Sequence, residues 1–248
     1  MIGESHRTMD GTWPVVELRQ YTLRPGARDV LIELFDREFV ETQEAAGMRI
    51  MGQFRDEDDP DRFVWMRGFR DMASRGAALT AFYLEGDAWK AHGKAANATM
   101  LDSTDALLLR PLSETAGFPL PEARPGPGAT ALPPSRFMAT ICHLDAPVDN
   151  AFVRFFDERV RPVLSGTGAH PIACFETEPS ENTFPRLPVR EGENVFIWFT
   201  SFEDDDRRRT HLDRLARSKE WNEDVLPGLS ARLTGPPQRL NLAPTARS

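Results

Sequence analysis

The chain has 248 residues, 40% of them apolar, and a formal net charge of -8. That is too apolar for a disordered chain and long enough for two cores of about 100 residues each. The acidic balance gives no electrostatic case for binding nucleic acid or an anionic membrane, and the basic run Arg207, Arg208, Arg209 directly follows Glu203 to Asp206, as in a solvated helix start.

Before Pro14 there is no apolar stretch of the secretory-signal type, and no run approaches the roughly 18 apolar residues of a spanning helix. Val15 to Leu23 alternates as a strand, with Val16 and Leu18 on one face and Glu17, Arg19 and Tyr21 on the other. Pro25-Gly26 ends it. A helix is predicted from about Ala27, with Leu31, Leu34, Phe35 and Phe39 as its apolar stripe and Gly47 as its stop. Met48 to Phe54 and Phe63 to Phe69 read as strands around the polar turn Asp56 to Asp61, an antiparallel hairpin. After Asp71 the pattern is helical, with Ala78, Leu79, Phe82 and Tyr83 on one face. Gly86 interrupts it, and Ala88 to Met100 continues as a further helical piece. Ala106 to Leu112 closes the unit as a fourth strand.

Residues 113–135 carry Pro119, Pro121, Pro125, Pro127, Pro133 and Pro134 with three glycines. Proline breaks helices and central strands, so this stretch reads as a semi-rigid linker, with an ordered arm wrapping the other half as the alternative. The same order of elements then returns. Phe137 to Leu144 is a strand, and Phe152, Phe155, Phe156, Val160 and Val163 form a helix stripe. His170 to Thr177 and Val195 to Phe202 are strands, Glu203 to Leu226 is helical in one or two pieces, and Arg239 to Pro244 closes the unit.

Phe63-Val64-Trp65 corresponds to Phe196-Ile197-Trp198, Phe69 to Phe202, Trp89 to Trp221 and Pro111 to Pro244. Aromatic residues matching in place argue for an internal duplication. The predicted fold is therefore α+β: two tandem ferredoxin-like βαββαβ domains, 15–112 and 136–245, packed as a pseudo-dimeric α/β barrel. Such packing buries the sheet face that the helices leave open and pairs the strand edges.

Glu17 to Gly26 (ELRQYTLRPG), Phe63 to Met72 (FVWMRGFRDM) and the stretch from Trp89-Lys90 through Ala95-Ala96-Asn97-Ala98-Thr99-Met100 to Leu107-Leu108-Leu109-Arg110-Pro111 resemble the NIPSNAP family. The resemblance covers residues 15–112. It implies a ferredoxin-like fold of the dimeric α/β-barrel type and says little about activity. Cofactor-independent monooxygenases and haem enzymes share that barrel, an analogy of fold alone. The second half departs from the motif. Phe137 to Pro147 replaces the opening, Thr200 stands for Arg67, and one residue of alignment decides whether His143 matches Tyr21 or Thr22.

Among candidate sites, no metal-binding spacing joins His6, His92, His143, His170 and His211, and no GxSxG, GxGxxG or Walker loop is present. No metal or cofactor is expected. Cys142 and Cys174 lie outside any CxxC pair and read as buried thiols of a reducing compartment, so a soluble cytoplasmic protein is expected. His143 and His170 fall on neighbouring predicted strands, where a joint site competes with two unliganded histidines. The stronger candidate is the inward face of the first domain. Glu17, Arg19 and Tyr21 share a face of one strand, Trp65 and Arg67 a face of the strand expected beside it. Two readings stand there: an ion network of Glu17, Arg19 and Arg67, or a pocket in which Arg19 and Arg67 hold an anionic oxygen, Glu17 accepts a proton and Tyr21, Trp65 and Tyr83 supply the lining. His92, as an acid or base, and Asn97 follow Trp89 and are placed at the barrel mouth.

Three functions remain open. One is a protein binding a small hydrophobic or aromatic molecule in a barrel pocket, with a cofactor-independent monooxygenase or isomerase as its catalytic form. A second is a structural or interaction module without a pocket, and a homo-oligomer is compatible with either. A third, nucleic-acid binding through the sheet, is opposed by the acidic charge.

Overall fold

The computed structural model describes residues 13–119 and 123–248; His6, the start of the chain and Pro121 of the linker lie outside them. The first half contains β1 (Val15–Leu23), helix α1, β2 (Arg49–Asp56), β3 (Arg62–Phe69), helices α2 and α3, a short β4 (Met100–Asp102) and β5 (Ala106–Pro111). Helix α1 runs from Arg28–Leu34 through a π-helical turn, Phe35–Phe39, into Val40–Ala45. Helix α2 is Met72–Thr80 with a π-helical last turn, Ala81–Glu85, and α3 is Asp87–Thr99.

The second half repeats this plan with β6 (Arg136–Leu144), α4, β7 (Pro171–Thr177), β8 (Asn194–Phe202), α5 (Asp205–Arg217), α6 and β9 (Gln238–Pro244). Helix α4 is Asn150–Phe155, π-helical Phe156–Val160 and Arg161–Thr167; α6 is π-helical Trp221–Val225 followed by Leu226–Ser230. Local signals set these boundaries. The side chain of Asp71 accepts from Ser74 N at the start of α2, and that of Asp204 accepts from Arg207 N at the start of α5. Gly168, at φ 105°, ends α4.

Each half has the strand order fourth-first-third-second, all antiparallel: β5-β1-β3-β2 and β9-β6-β8-β7. The two sheets close on each other, β2 with β9 and β5 with β7, into an eight-stranded barrel. The seams match across a pseudo-twofold: Phe54 pairs with Pro244, and Phe175 with Pro111. Bulges fall at corresponding places too, between Ile50 and Gly52 in β2 and between Pro171 and Ala173 in β7. The fold is two tandem ferredoxin-like domains in a pseudo-dimeric α/β barrel. Among the described residues no helix is long and apolar enough to cross a membrane.

One apolar cluster takes side chains from all eight barrel strands, including Val16, Leu18, Val64, Met66, Ile141, Phe175, Phe199 and Leu242; it is the barrel interior. Two others lie outside, under the helices of each half. Phe35, Phe63, Trp65 and Phe82 belong to the first, and Phe156, Phe196, Trp198 and Val225 to the second. Each such side chain contributes about 1.5–3 kcal/mol by burial. The described part of the Pro-rich segment hugs this body. Phe118 packs on Phe175 and Phe199, Cys174 N donates to Ala116 O, and Arg124 Nη1 donates to Arg247 O. On the first half, Arg124 Nη2 donates to Glu44 Oε1 at 3.1 Å.

Candidate functional site

The register decides which candidates meet. Glu17 pairs with Arg67, Arg19 with Trp65 and Tyr21 with Phe63 across β1 and β3. These odd-numbered residues lie on the face turned toward the helices, whereas Val16, Leu18, Val64 and Met66 fill the barrel. The expectation of an inward-facing site is thus corrected by strand alternation: the candidates sit between the barrel wall and the helices of the first half.

There Glu17 is surrounded by three arginines, and all four side chains are completely buried. Glu17 Oε2 accepts from Arg19 Nη1 at 3.0 Å and Arg67 Nε at 2.8 Å; Oε1 accepts from Arg75 Nε at 2.7 Å. Arg67 Nη2 and Arg75 Nη2 are equally close to these oxygens but off the hydrogen-bond direction. Burial pushes the Glu17 carboxyl up, yet Arg67, Arg19 and Arg75 together overcome this and hold it below the usual carboxylate range. Arg75 was not expected from the sequence. Its signal was its place on the apolar stripe of α2, three, four and seven residues before Ala78, Leu79 and Phe82, where a charge needs a buried partner.

Further donors of Arg19 and Arg67 go to groups next to a cavity. Arg19 Nε donates to Tyr21 Oη at 3.0 Å and its Nη2 to Ser103 O at 3.0 Å. Arg67 Nη1 donates to Gln43 Oε1 at 2.9 Å and to Tyr83 Oη at 3.3 Å, and its guanidinium lies 4.9 Å over the Trp65 ring. Tyr21, Gln43, Trp65, Tyr83 and Ser103 all line a cavity of about 380 Å³ between β1, β3 and the helices. Phe35 and Phe39 from α1, Phe82 from α2 and Trp89 from α3 form its helical wall. Gly93 positions Trp89: a Cβ there would lie 2.7 Å from the indole, which folds back along its own helix.

The lid of this cavity comes from the other half. The 178–193 loop joins β7 to β8, where the first half has only a short turn, and it reaches across to the first half. Arg75 Nη1 donates to Asn182 Oδ1 at 2.9 Å and Thr183 Oγ1 at 3.1 Å, and Thr183 Oγ1 donates to Met72 O. Gly76 allows this approach, since a Cβ would stand 3.3 Å from that of Thr183. Phe184, Leu187 and Pro188 then line the cavity. Sequence reasoning assigned the loop no role; its length and its prolines Pro179, Pro185 and Pro188 were the available signal.

Of the residues singled out from the sequence, Tyr21, Trp65, Tyr83, Trp89 and Asn97 line the cavity, with Asn97 exposed at its rim. Arg19 and Arg67 stand directly behind its wall. Glu17 is further back, with both oxygens accepting from arginines. His92 is not brought there: it projects from α3 toward solvent, Nε2 3.4 Å from Glu38 Oε2. His143 pairs with Glu193 at 3.4 Å, and β8 separates β6 from β7, so His143 and the exposed His170 form no joint site. Among the described residues no group of three or more His, Cys, Asp or Glu converges as a metal site. A larger open groove of about 820 Å³, lined by Trp13, Arg110 and Phe118 among others, gathers no buried charge.

The second half lacks the polar cluster. Its strands pair Met138 with Thr200, Thr140 with Trp198 and Cys142 with Phe196. Aligned on Trp65 and Trp198, Met138 replaces Glu17, Thr140 replaces Arg19, Cys142 replaces Tyr21 and Thr200 replaces Arg67. His143 therefore matches Thr22.

Residues 16–114 match the model of the NIPSNAP family. Over nearly the whole chain the structure resembles a candidate monooxygenase from Fusobacterium nucleatum subsp. nucleatum, at 10% identity and a TM-score of 0.56, covering 95% of this chain and 94% of that one. It resembles an anthrone oxidase-like protein at 13% identity and a TM-score of 0.57, covering 95% and 92%. These two share the fold. A NIPSNAP-like domain protein from Burkholderia xenovorans is 27% identical over 43% of this chain and 90% of its own, with a TM-score of 0.38. No curated protein matches the chain's sequence.

Proposed function

With a NIPSNAP domain at residues 16–114 as the premise, we propose that the chain binds a small aromatic molecule in the cavity of its first half. The observation that carries this is an aromatic-walled space of about 380 Å³, roofed by a loop of the second half and floored by residues hydrogen-bonded to a buried arginine cluster. That volume lies at the lower end of the roughly 300–1,000 Å³ of small-molecule sites. Apolar walls with a few convergent polar groups are what such sites require.

Binding is favoured over a monooxygenase or isomerase activity because Glu17, the buried carboxylate behind the cavity wall among the described residues, accepts from three arginines that hold it ionised and make it a weak base. A module without a pocket is disfavoured by the cavity itself. A reducing, cytoplasmic setting fits Cys142 and Cys174, both buried and unpaired.

The test is a titration of the full chain with naphthalene-class compounds, followed by tryptophan fluorescence, since Trp65 and Trp89 line the space. Saturable quenching is expected, and it should be lost when Ala96, on the cavity wall, is replaced in Ala96→Phe with the thermal transition retained. Quenching that never saturates, or that the filled variant keeps, sinks the reading.

A further inference from the structure

The deep end of the cavity is a set of donors. Glu17, Arg19, Arg67 and Arg75 are all fully buried, and one carboxylate leaves two of the three positive charges uncompensated within the cluster. Buried charge without a counter-charge is costly, so the imbalance calls for a partner. Most of the side-chain acceptors nearby are engaged. Both Glu17 oxygens, Gln43 Oε1, Tyr21 Oη and Tyr83 Oη already accept from arginines.

Several donors at this end find no acceptor. Trp65 is 1% exposed, lines the cavity, and its Nε1 has no hydrogen-bond partner. Each tyrosine hydroxyl accepts from an arginine, Tyr21 from Arg19 and Tyr83 from Arg67, and among the described residues neither hydroxyl proton finds an acceptor. A hydroxyl that accepts from a guanidinium is a stronger donor in turn, because chained hydrogen bonds polarise one another. Burial pushes the Tyr21 hydroxyl up from its ordinary value against the pull of Arg19, so it keeps the proton it would share. At the outer rim, exposed Arg186 forms no hydrogen bond or ion pair among the described residues. The cavity is thus cationic at its mouth and donor-lined at its end.

We propose that the ligand carries an ionised oxygen, a carboxylate or phenolate on an aromatic ring system, which Tyr21, Tyr83 and Trp65 bind through three converging donors backed by Arg19 and Arg67. This rests on the aromatic cavity of the first half being a ligand site. The rings lie against Phe39, Phe82 and Trp89, and the oxygen enters first. The second half, with Met138, Thr140, Cys142 and Thr200 at the corresponding positions, has no such end.

The experiment compares 2-naphthoate with its neutral isostere 2-naphthamide by calorimetric titration of the full chain at neutral pH. The carboxylate should bind at least about tenfold more tightly, the worth of one or two hydrogen bonds to a charged acceptor. In Tyr21→Phe/Tyr83→Phe that preference should shrink to about twofold or less, while binding of the amide stays within about twofold. 2-Naphthol separates the two sources: a bound spectrum with the naphtholate band assigns a phenolate site. Neutral bound naphthol together with a naphthoate preference assigns a carboxylate. Equal affinity for naphthoate and naphthamide with naphthol bound neutral overturns the proposal and leaves the aromatic site standing. No binding of any probe overturns both. The comparison in the unsubstituted chain decides the matter even if the double variant does not fold.

Discussion

Phe184 stacks on Tyr83, ring centroids 6.0 Å apart and planes 29° from parallel, although the two residues belong to different halves of the chain. Tyr83 in turn meets Trp89 edge-on at 4.7 Å and accepts a hydrogen bond from Arg67. One aromatic contact therefore joins the lid, the helical wall and the buried arginines. Aromatic pairs of this sort add about 0.5–1.5 kcal/mol beyond area burial.

Removing that contact should loosen the lid without unfolding the barrel. Phe184→Ala is expected to make trypsin cut after the exposed Arg186 about tenfold faster, because cleavage follows the open population of the loop. The thermal transition should shift little. Unchanged cleavage in a time course read by mass spectrometry would mean that Asn182 and Thr183 hold the loop without help.

Glu17→Gln leaves three buried arginines facing a neutral amide. Breaking a buried ion pair from one side costs about 3–5 kcal/mol, since the remaining charge is stranded. A urea denaturation midpoint lowered to that degree is expected. A loss below about 1 kcal/mol would show that water reaches the cluster and that its charge is already compensated.

His211 gives the chain an acid-sensitive buried contact between α5 and α4. It is fully buried, its Nδ1 is 2.9 Å from Thr167 Oγ1, its Nε2 has no partner, and burial lowers its pKa to about 4. The unfolded chain then binds more protons than the folded one between the ordinary value of 6.5 and about 4. Stability contributed by the neutral ring is complete above 6.5 and is lost as the pH falls through that window, by about 3 kcal/mol. Glu17, held below its ordinary 4.5, extends the decline at still lower pH by the same rule. Denaturation at stepped pH should show the first phase in the parent chain and not in His211→Phe.

Gly93→Ala tests the placement of Trp89. The added Cβ would fall 2.7 Å from the indole, which must swing away from its helix. Overpacking of this kind costs about 1–3 kcal/mol. A changed tryptophan emission and weaker binding of naphthalene-class probes are expected together. Emission altered with binding unchanged would remove Trp89 from the ligand surface.

Strand alternation and matching aromatics made most of the architecture legible. The 15–23 and 63–69 strands, the repeat of Trp65 at Trp198 and the closing strands all fall within a residue or two of their observed limits. That β1 and β3 lie side by side followed from the strand order; the register that sets Glu17 opposite Arg67 did not. Which side of the sheet faced the helices did not, since Val16, Leu18 and Met66 are as apolar as the odd-numbered set. The four π-helical turns had no readable signature, because an extra residue in a turn leaves the apolar spacing almost intact. The lid was invisible for a different reason. A loop's destination depends on the assembled barrel, and nothing in Asn182, Thr183 or Phe184 names Arg75 or Tyr83 as a partner.

Crossed closure of the barrel joins β2 to β9 and β5 to β7, so the halves stand in the relation of two subunits fused into one polypeptide. An assembly of identical subunits would carry equivalent sites in pairs and would have to keep both intact. Here Met138, Thr140, Cys142 and Thr200 stand where the first half has its polar cluster, while the same half supplies the roof over the first half's cavity. The saturation endpoint should accordingly be a single ligand per polypeptide. A single chain lets the two halves differ, one holding the arginine-backed cavity and the other supplying the loop that covers it.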